Sequence, residues 1–424
     1  MSGLFSKFEA FQRDQRGVVA IIFGFSIVFL AGVAGLAVDT SRQMLVSQKT
    51  GDLLDATAMM AAKLLDAEEL NDSQIKERAE AYFNAQANDF AMQKKVTYSN
   101  FKTTPNRSQH QVDVTVDVRM PTTLGKVVSI DEMAFKRTSS VVYKSRKLEI
   151  VLVLDVTGSM CEPCAKIESL RAAAKSMIDT LYEGRPTKGS VRVALVPYAA
   201  SVNAGGTFGA VTGGSSGGPC VVERTGFQQT TDASPGFGSY LRAGNTDINS
   251  RFTCPVDSVK PLTDLRKNDS RNAFKQSIDN LQTNGYTAGH IGLAWGWYMV
   301  SPNWGTVFSG DAKPRDYDNE DNIKAVVMMT DGMFNAAYTG DNKNSESPSA
   351  TDSSAHQALA LCSAMRAQGI QLYTVSYQAP TEAKSLLETC AADPNNAYDA
   401  EDTGDLVMSF RDIVGKLQMM RLTK

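Results

Sequence analysis

The run LEIVLVL at residues 148–154, closed by DVTGS at 155–159, decides the fold of most of this chain. A continuous apolar stretch rich in β-branched residues suits a strand buried on both faces of a parallel sheet. Further runs of this kind, VRVALVP at 191–197, IKAVVMMT at 323–330 and IQLYTVS at 370–376, alternate with helical patterns at 164–182, 271–282, 288–300, 354–368, 381–390 and 404–419. Such alternation predicts an α/β fold over residues 148–424, with a doubly wound, mostly parallel sheet. Two stretches interrupt it: a Gly/Ser/Thr-rich insertion at about 201–269, read as irregular, and YTGDNKNSESPSATDS at 338–353. Loops of such length in a compact domain are usually functional or disordered.

In open α/β sheets ligands bind beyond the carboxyl ends of the strands, so the residues just past the apolar runs are the candidate site. Asp155, Thr157 and Ser159 offer one carboxylate and two hydroxyls in a single turn. Asp331 follows the run at 323–330 in the same way and precedes Gly332. Thr287 lies in the Gly-flanked turn NGYTAG at 284–289, which opens the helix at 288–300. Thr283, one turn earlier, is the alternative hydroxyl. Oxygen donors without His or Cys point to Mg²⁺ or another hard divalent cation, such as Mn²⁺ or Ca²⁺, over zinc. The bland alternative is that Asp155 and Asp331 cap adjacent helices.

The three loops together resemble the von Willebrand factor A domain, whose metal-ion-dependent adhesion site joins a D-x-S-x-S turn, a Thr from a second loop and an Asp from a third. The resemblance implies Asp155, Thr157 and Ser159 for the first loop, Thr287 for the second and Asp331 for the third. Thr157 stands where Ser is usual; the hydroxyl is kept while the β-branch restricts its rotamer. The family further implies hydroxyls bound directly to the metal, carboxylates acting largely through water, and a coordination position left for an acidic residue of a protein partner.

Residues 17–38, GVVAIIFGFSIVFLAGVAGLAV, are uncharged and long enough to cross about 30 Å of hydrocarbon as one helix. A signal peptide has a shorter apolar core, usually about 7 to 15 residues, so a retained single-pass anchor is expected, with residues 1–16 cytoplasmic. Lys7, Arg13 and Arg16 precede the span, while Arg42 and Lys49 follow it. All six cysteines lie beyond the span, which places the rest of the chain outside the cytoplasm, in the periplasm or beyond. Residues 39–147 read as a small α+β stalk. Helical spacing continues through Leu53, Met60 and Leu64, Asn71 can cap a second helix bearing Ile75, Ala79, Tyr82 and Phe83, and VDVTVDV at 112–118 alternates as a strand. Asp113 and Asp117 then fall on its solvated face.

The N-terminal third carries a second resemblance. RDQRGVVA at 13–20, the span ending GLAVD at 35–39, and DATA at 55–58 are similar to TadE/TadG-type proteins of the tight-adherence (Flp) pilus apparatus. An anchor of this kind joined to a von Willebrand A domain resembles the TadG arrangement, and GLAWGW at 292–297 fits the same group. This implies an inner-membrane protein whose partners are other pilus-assembly components. Prepilin-like processing after Gly17 would usually require Glu at the fifth position, where this chain has Ile22.

The chain has 424 residues, 42% hydrophobic and 21% charged, which is ample for a large core in two or three domains. A formal net charge of −3 and the lack of a dense Lys/Arg face argue against a nucleic-acid partner. Of the 15 pairings six cysteines allow, proximity favours Cys161 with Cys164, Cys220 with Cys254 and Cys362 with Cys390. Cys161-Glu162-Pro163-Cys164 is also the spacing of thioredoxin-like redox motifs, but here it directly follows the metal turn. His110, His290 and His356 are scattered, and no phosphate-loop, zinc-protease or serine-hydrolase motif is present. Catalysis is not expected. The competing reading is a metal-dependent hydrolase or phosphatase using the same carboxylates, although an aspartyl nucleophile at Asp155 lacks a second acid two residues on.

Overall fold

The computed structural model describes residues 16–66, 70–143, 146–162, 164–183, 189–244, 254–317, 321–339, 343–345 and 348–422. The stretch expected to be cytoplasmic lies outside these residues but for Arg16. The chain forms two compact units, Met1–Lys144 and Ser145–Lys424.

In the first unit, helix α1 (Arg16–Asp66) runs unbroken out of the apolar stretch. Among the described residues it is the one helix long and apolar enough to cross a membrane. Phe25 and Phe29 near its start are 75% and 71% exposed, whereas Leu54, Ala58, Ala61 and Leu65 further on are buried in a core. Helix α2 (Asp72–Lys94) faces that core with Ile75, Ala79, Phe83 and Ala87. Tyr82, placed on this stripe by the sequence, is only half-buried. Asn71 starts α2 with a capping box, its side chain accepting from Gln74 N at 3.0 Å while Gln74 Oε1 accepts from Asn71 N at 3.1 Å.

Strands β1 (Thr97–Asn106), β2 (Gln111–Pro121) and β3 (Glu132–Val142) form an antiparallel meander. Val112, Val114, Val116 and Val118 are buried, while the alternate residues, Asp113 and Asp117 among them, are half-buried on the other face. Just past the apolar stretch of α1, Asp39 accepts the backbone N–H groups of Thr123, Leu124 and Gly125 at 2.8, 3.0 and 2.7 Å. These hydrogen bonds hold its carboxyl below the usual carboxylate range.

In chain order the second unit comprises β4 (Lys147–Asp155), α3 (Ala165–Glu183), β5 (Val191–Tyr198), β6 (Val202–Asn203), α4 (Phe208–Thr212), β7 (Cys220–Val222), β8 (Arg242–Ala243), β9 (Lys260–Thr263), α5 (Asn268–Asp279), α6 (Gly289–Val300), β10 (Asn322–Thr330), the hairpin β11 (Ala337–Thr339) with β12 (Lys343–Ser345), α7 (Pro348–Ala367), β13 (Gln371–Tyr377), α8 (Thr381–Ala391), β14 (Ala397–Ala400) and α9 (Thr403–Leu422). Five strands lie parallel in the order β14-β13-β10-β4-β5.

The expected mostly parallel sheet holds only for those five strands. The insertion, read as irregular, adds β6, β7 and β8 antiparallel beyond β5, and β9 pairs antiparallel with β5 as well. The sheet is therefore mixed. Only residues 199–201 separate β5 from β6, too few for the crossover that a parallel return requires, so β6 pairs antiparallel with β5.

The continuous apolar runs are explained by helices on both faces of the parallel strands. Val151, Val153, Val326 and Met328 face one core with α6, α7 and α8; Ile150, Leu152, Leu154 and Val327 face the other with α3, α5 and α9. Helix α6, buried throughout, lies tight against the sheet because it presents glycines to it. A Cβ at Gly292 would stand 2.7 Å from the Tyr198 ring, and one at Gly296 2.8 Å from Val153. That close approach carries the loop before α6 to the carboxyl end of β4. The bridges Cys161–Cys164, Cys220–Cys254 and Cys362–Cys390 are those that proximity favoured.

Candidate metal-ion site

The first loop leaves β4 at Asp155, which is fully buried. One carboxylate oxygen, Oδ1, accepts the backbone N–H of Thr157 at 2.8 Å, folding the turn back on itself. The other, Oδ2, accepts from Thr330 Oγ1 at 2.7 Å and from the Tyr198 hydroxyl at 3.2 Å, groups at the ends of the two strands that flank β4. Burial, and then the neighbouring Asp331, push the Asp155 carboxyl up to about 6. Tyr198, buried beside that carboxylate, is pushed well above its ordinary value.

Thr157 and Ser159 bring their hydroxyl oxygens to 3.0 Å from each other. Ser159 Oγ donates to Asp331 Oδ1 at 2.6 Å, so its single proton is used there and Thr157 is the donor to Ser159. Asp331 Oδ2 is paired at 2.8 Å with the ammonium of Lys166, from the first turn of α3. Asp155, Thr157, Ser159 and Asp331 thus form a contiguous set built from two neighbouring parallel strands.

The loop carrying Thr287 adjoins it. Gly158 N donates to Gly285 O at 3.0 Å, Asn284 N donates to Val156 O at 2.9 Å, and Thr287 itself is bonded on both sides of its backbone to the segment after Asp331: its N–H to Asn335 Oδ1 at 2.9 Å, its carbonyl to Asn335 N at 2.9 Å. Thr287 is 4% exposed, whereas Thr283 is half-buried with no such tie.

As a donor set these groups suit a hard divalent cation. Thr157 and Ser159 keep oxygen lone pairs, Thr287 adds a further hydroxyl in the adjoining loop, and the two carboxylates supply negative charge without thiolate or imidazole. Among the described residues no group of three or more His, Cys, Asp and Glu is placed to hold a metal.

Sequence reasoning missed Lys166, Tyr198, Thr330 and Asn335. Tyr198 and Thr330 carried the same signal as Asp331, a polar group at the end of an apolar strand. It also missed a second polar cluster, in which His290 Nδ1 lies 2.6 Å from Ser354 Oγ and His290 Nε2 lies 3.5 Å from Glu223 Oε2. Its order suggests a hydrolytic triad, yet Ser354 is fully buried, His290 is 1% exposed, and the adjoining cavity of about 10 Å³ has room for about one water.

No family model matches the chain, and no curated protein matches it. Among solved structures, the pilus adhesin SpaC of Lactobacillus rhamnosus GG is similar over 76% of this chain and 34% of its own length, at 12% identity and a TM-score of 0.39. The von Willebrand factor domain of a type V pilus tip protein from Porphyromonas gingivalis is similar over 66% of this chain and 98% of its own, at 13% identity and a TM-score of 0.42. A von Willebrand factor type A protein from Catenulispora acidiphila is similar over 72% of this chain and 45% of its own, at 15% identity and a TM-score of 0.33. The chain spans about a third of the length of the SpaC adhesin. Likeness this distant says nothing of activity, and the fold described above rests on this chain's own strand order and cores.

Proposed function

We propose that this chain is a membrane-anchored adhesion or pilus-assembly protein whose α/β unit, of the von Willebrand A type, docks an acidic side chain of a protein partner through a divalent metal ion. Asp155, Thr157, Ser159, Thr287 and Asp331 would hold the ion, with Mg²⁺ the first candidate and Mn²⁺ or Ca²⁺ the alternatives. The ion supplies an electrophilic coordination position for a carboxylate; the chain's residues position it and balance its charge. The observation that carries this reading is the meeting of hydroxyls and carboxylates from separate loops at the carboxyl end of one parallel sheet.

The anchor is α1 through residues 17–38, in the inner membrane, with the α/β unit in the periplasm or outside the cell. Its apolar exposed side chains and the three disulfides support this. The partners are other pilus-assembly components of the tight-adherence type, as the N-terminal resemblance implies. A hydrolase or phosphatase with Asp155 as nucleophile is disfavoured, because the fully buried carboxylate gives a phosphoryl group no direct approach and position 157 holds Thr where a second acid would stand.

Capture of envelope proteins by the full-length chain, with and without chelator, tests the reading. Retention of an envelope protein in Mg²⁺, its release by chelator and its absence with Asp331→Ala are expected. Capture that persists unchanged in chelator and with Asp155→Ala contradicts metal-bridged docking.

A further inference from the structure

We propose that Lys166 is a tethered cation that competes with the divalent ion for Asp331 and so sets the metal affinity of the site. The inference rests on the metal-site reading above. Asp331 has a fully buried side chain, Ser159 occupies its Oδ1, and the Lys166 ammonium stands 2.8 Å from its Oδ2 with 13% of the lysine side chain exposed. The carboxylate is therefore already neutralised by a group that belongs to the chain.

A divalent ion held by the neighbouring hydroxyls draws on the same carboxylate, and two cations at one buried anion repel each other strongly in a medium of low effective dielectric. Metal entry must then displace the ammonium or coexist with it, and either route weakens binding. Lys166 is also free to yield. It sits in the first turn of α3, two residues past Cys164, and its side chain, 13% exposed, can swing the ammonium toward solvent on a flexible four-carbon stem. With the ion bound and the lysine nearby, the site carries more positive charge than the two carboxylates cancel, which favours an acidic partner group over a neutral one.

Mn²⁺ binding to the full-length chain, followed by the loss of the free-ion electron paramagnetic resonance signal, tests this. K166M is expected to bind Mn²⁺ about tenfold or more tightly than the unsubstituted chain, and K166R, which keeps the charge, to stay near the original affinity. K166M should also unfold at lower temperature without metal and gain more from added Mn²⁺, because it leaves Asp331 uncompensated; that thermal difference shows the variant to be folded. If K166M and the unsubstituted chain bind Mn²⁺ equally, the competition is overturned while the metal site stands. If neither binds Mn²⁺, both the site and the competition fall.

Discussion

The two ends of the parallel sheet use charge in opposite ways. At the amino end, Glu149 of β4 is a single buried carboxylate facing three cations: Arg192, its cross-strand neighbour on β5; Lys324, its neighbour on β10, with Nζ 2.7 Å from Glu149 Oε2; and Arg315, whose backbone N–H also donates to it at 3.1 Å. At the carboxyl end, Asp331 is paired with one ammonium, that of Lys166, and accepts from Ser159, while Asp155 is met by hydroxyls and backbone. The amino-end cluster has an excess of cations around one anion and nothing left to recruit. The carboxyl-end cluster has an excess of anion with oxygen lone pairs beside it, the condition under which a divalent cation is welcome.

Removing charge should break the first end and retune the second. Glu149→Ala is expected to cost roughly 3 to 5 kcal/mol, since it strands buried cations, and a urea melt of the full chain measures it. Asp331→Ala should cost less in stability, because Lys166 can reach water, and should abolish Mn²⁺ binding.

The pH response should differ in sign between the ends. Burial raises the Glu149 carboxyl, but Lys324, Arg192 and Arg315 more than offset it and hold it below the usual range. Its contribution to stability is therefore present above the unfolded value and lost as pH falls through its depressed folded value. Asp155, raised to about 6, works the other way: its contribution is full below the unfolded value of 3.8 and is lost as pH rises through about 6. Measured against Asp155→Asn, which lacks the titrating group, metal-free protein should thus lose thermal stability between about pH 4 and pH 6, and saturating Mg²⁺ should restore it above that range. A difference in melting temperature between the two proteins that stays constant over that interval would contradict the raised Asp155 carboxyl.

Smaller effects sharpen the comparison. Ser159→Ala removes the hydroxyl between Thr157 and Asp331 and should weaken Mn²⁺ binding about tenfold or more, with a stability change of about 1 kcal/mol. Thr157→Ser keeps the oxygen and should change stability by less than about 0.5 kcal/mol and leave binding in place.

Much of this was legible in the sequence, for identifiable reasons. The runs at 148–154 and 323–330 are apolar without alternation because helices cover both faces, whereas VDVTVDV at 112–118 alternates because only one face packs. Asp155 and Asp331 stood out because each ends such a run. The mixed sheet did not show, since β6 and β8 are two residues long and too short to display a period. Strand β14, of four residues, was hidden in the same way. Lys166 was overlooked because nothing local marks it: its partner lies 165 residues away and meets it only once β4 and β10 pair. The charged residues at 149, 192 and 324 carry no local mark of a shared cluster; only the strand register sets them side by side.

The most direct test of the claim that the carboxyl end of the sheet is a divalent-metal site is Mn²⁺ titration of the metal-stripped full-length chain and its Asp331→Ala variant, followed by electron paramagnetic resonance. One saturable site is expected in the unsubstituted chain, displaced by Mg²⁺ and lost in Asp331→Ala. Binding of equal strength in both proteins, or no binding in either, would contradict it.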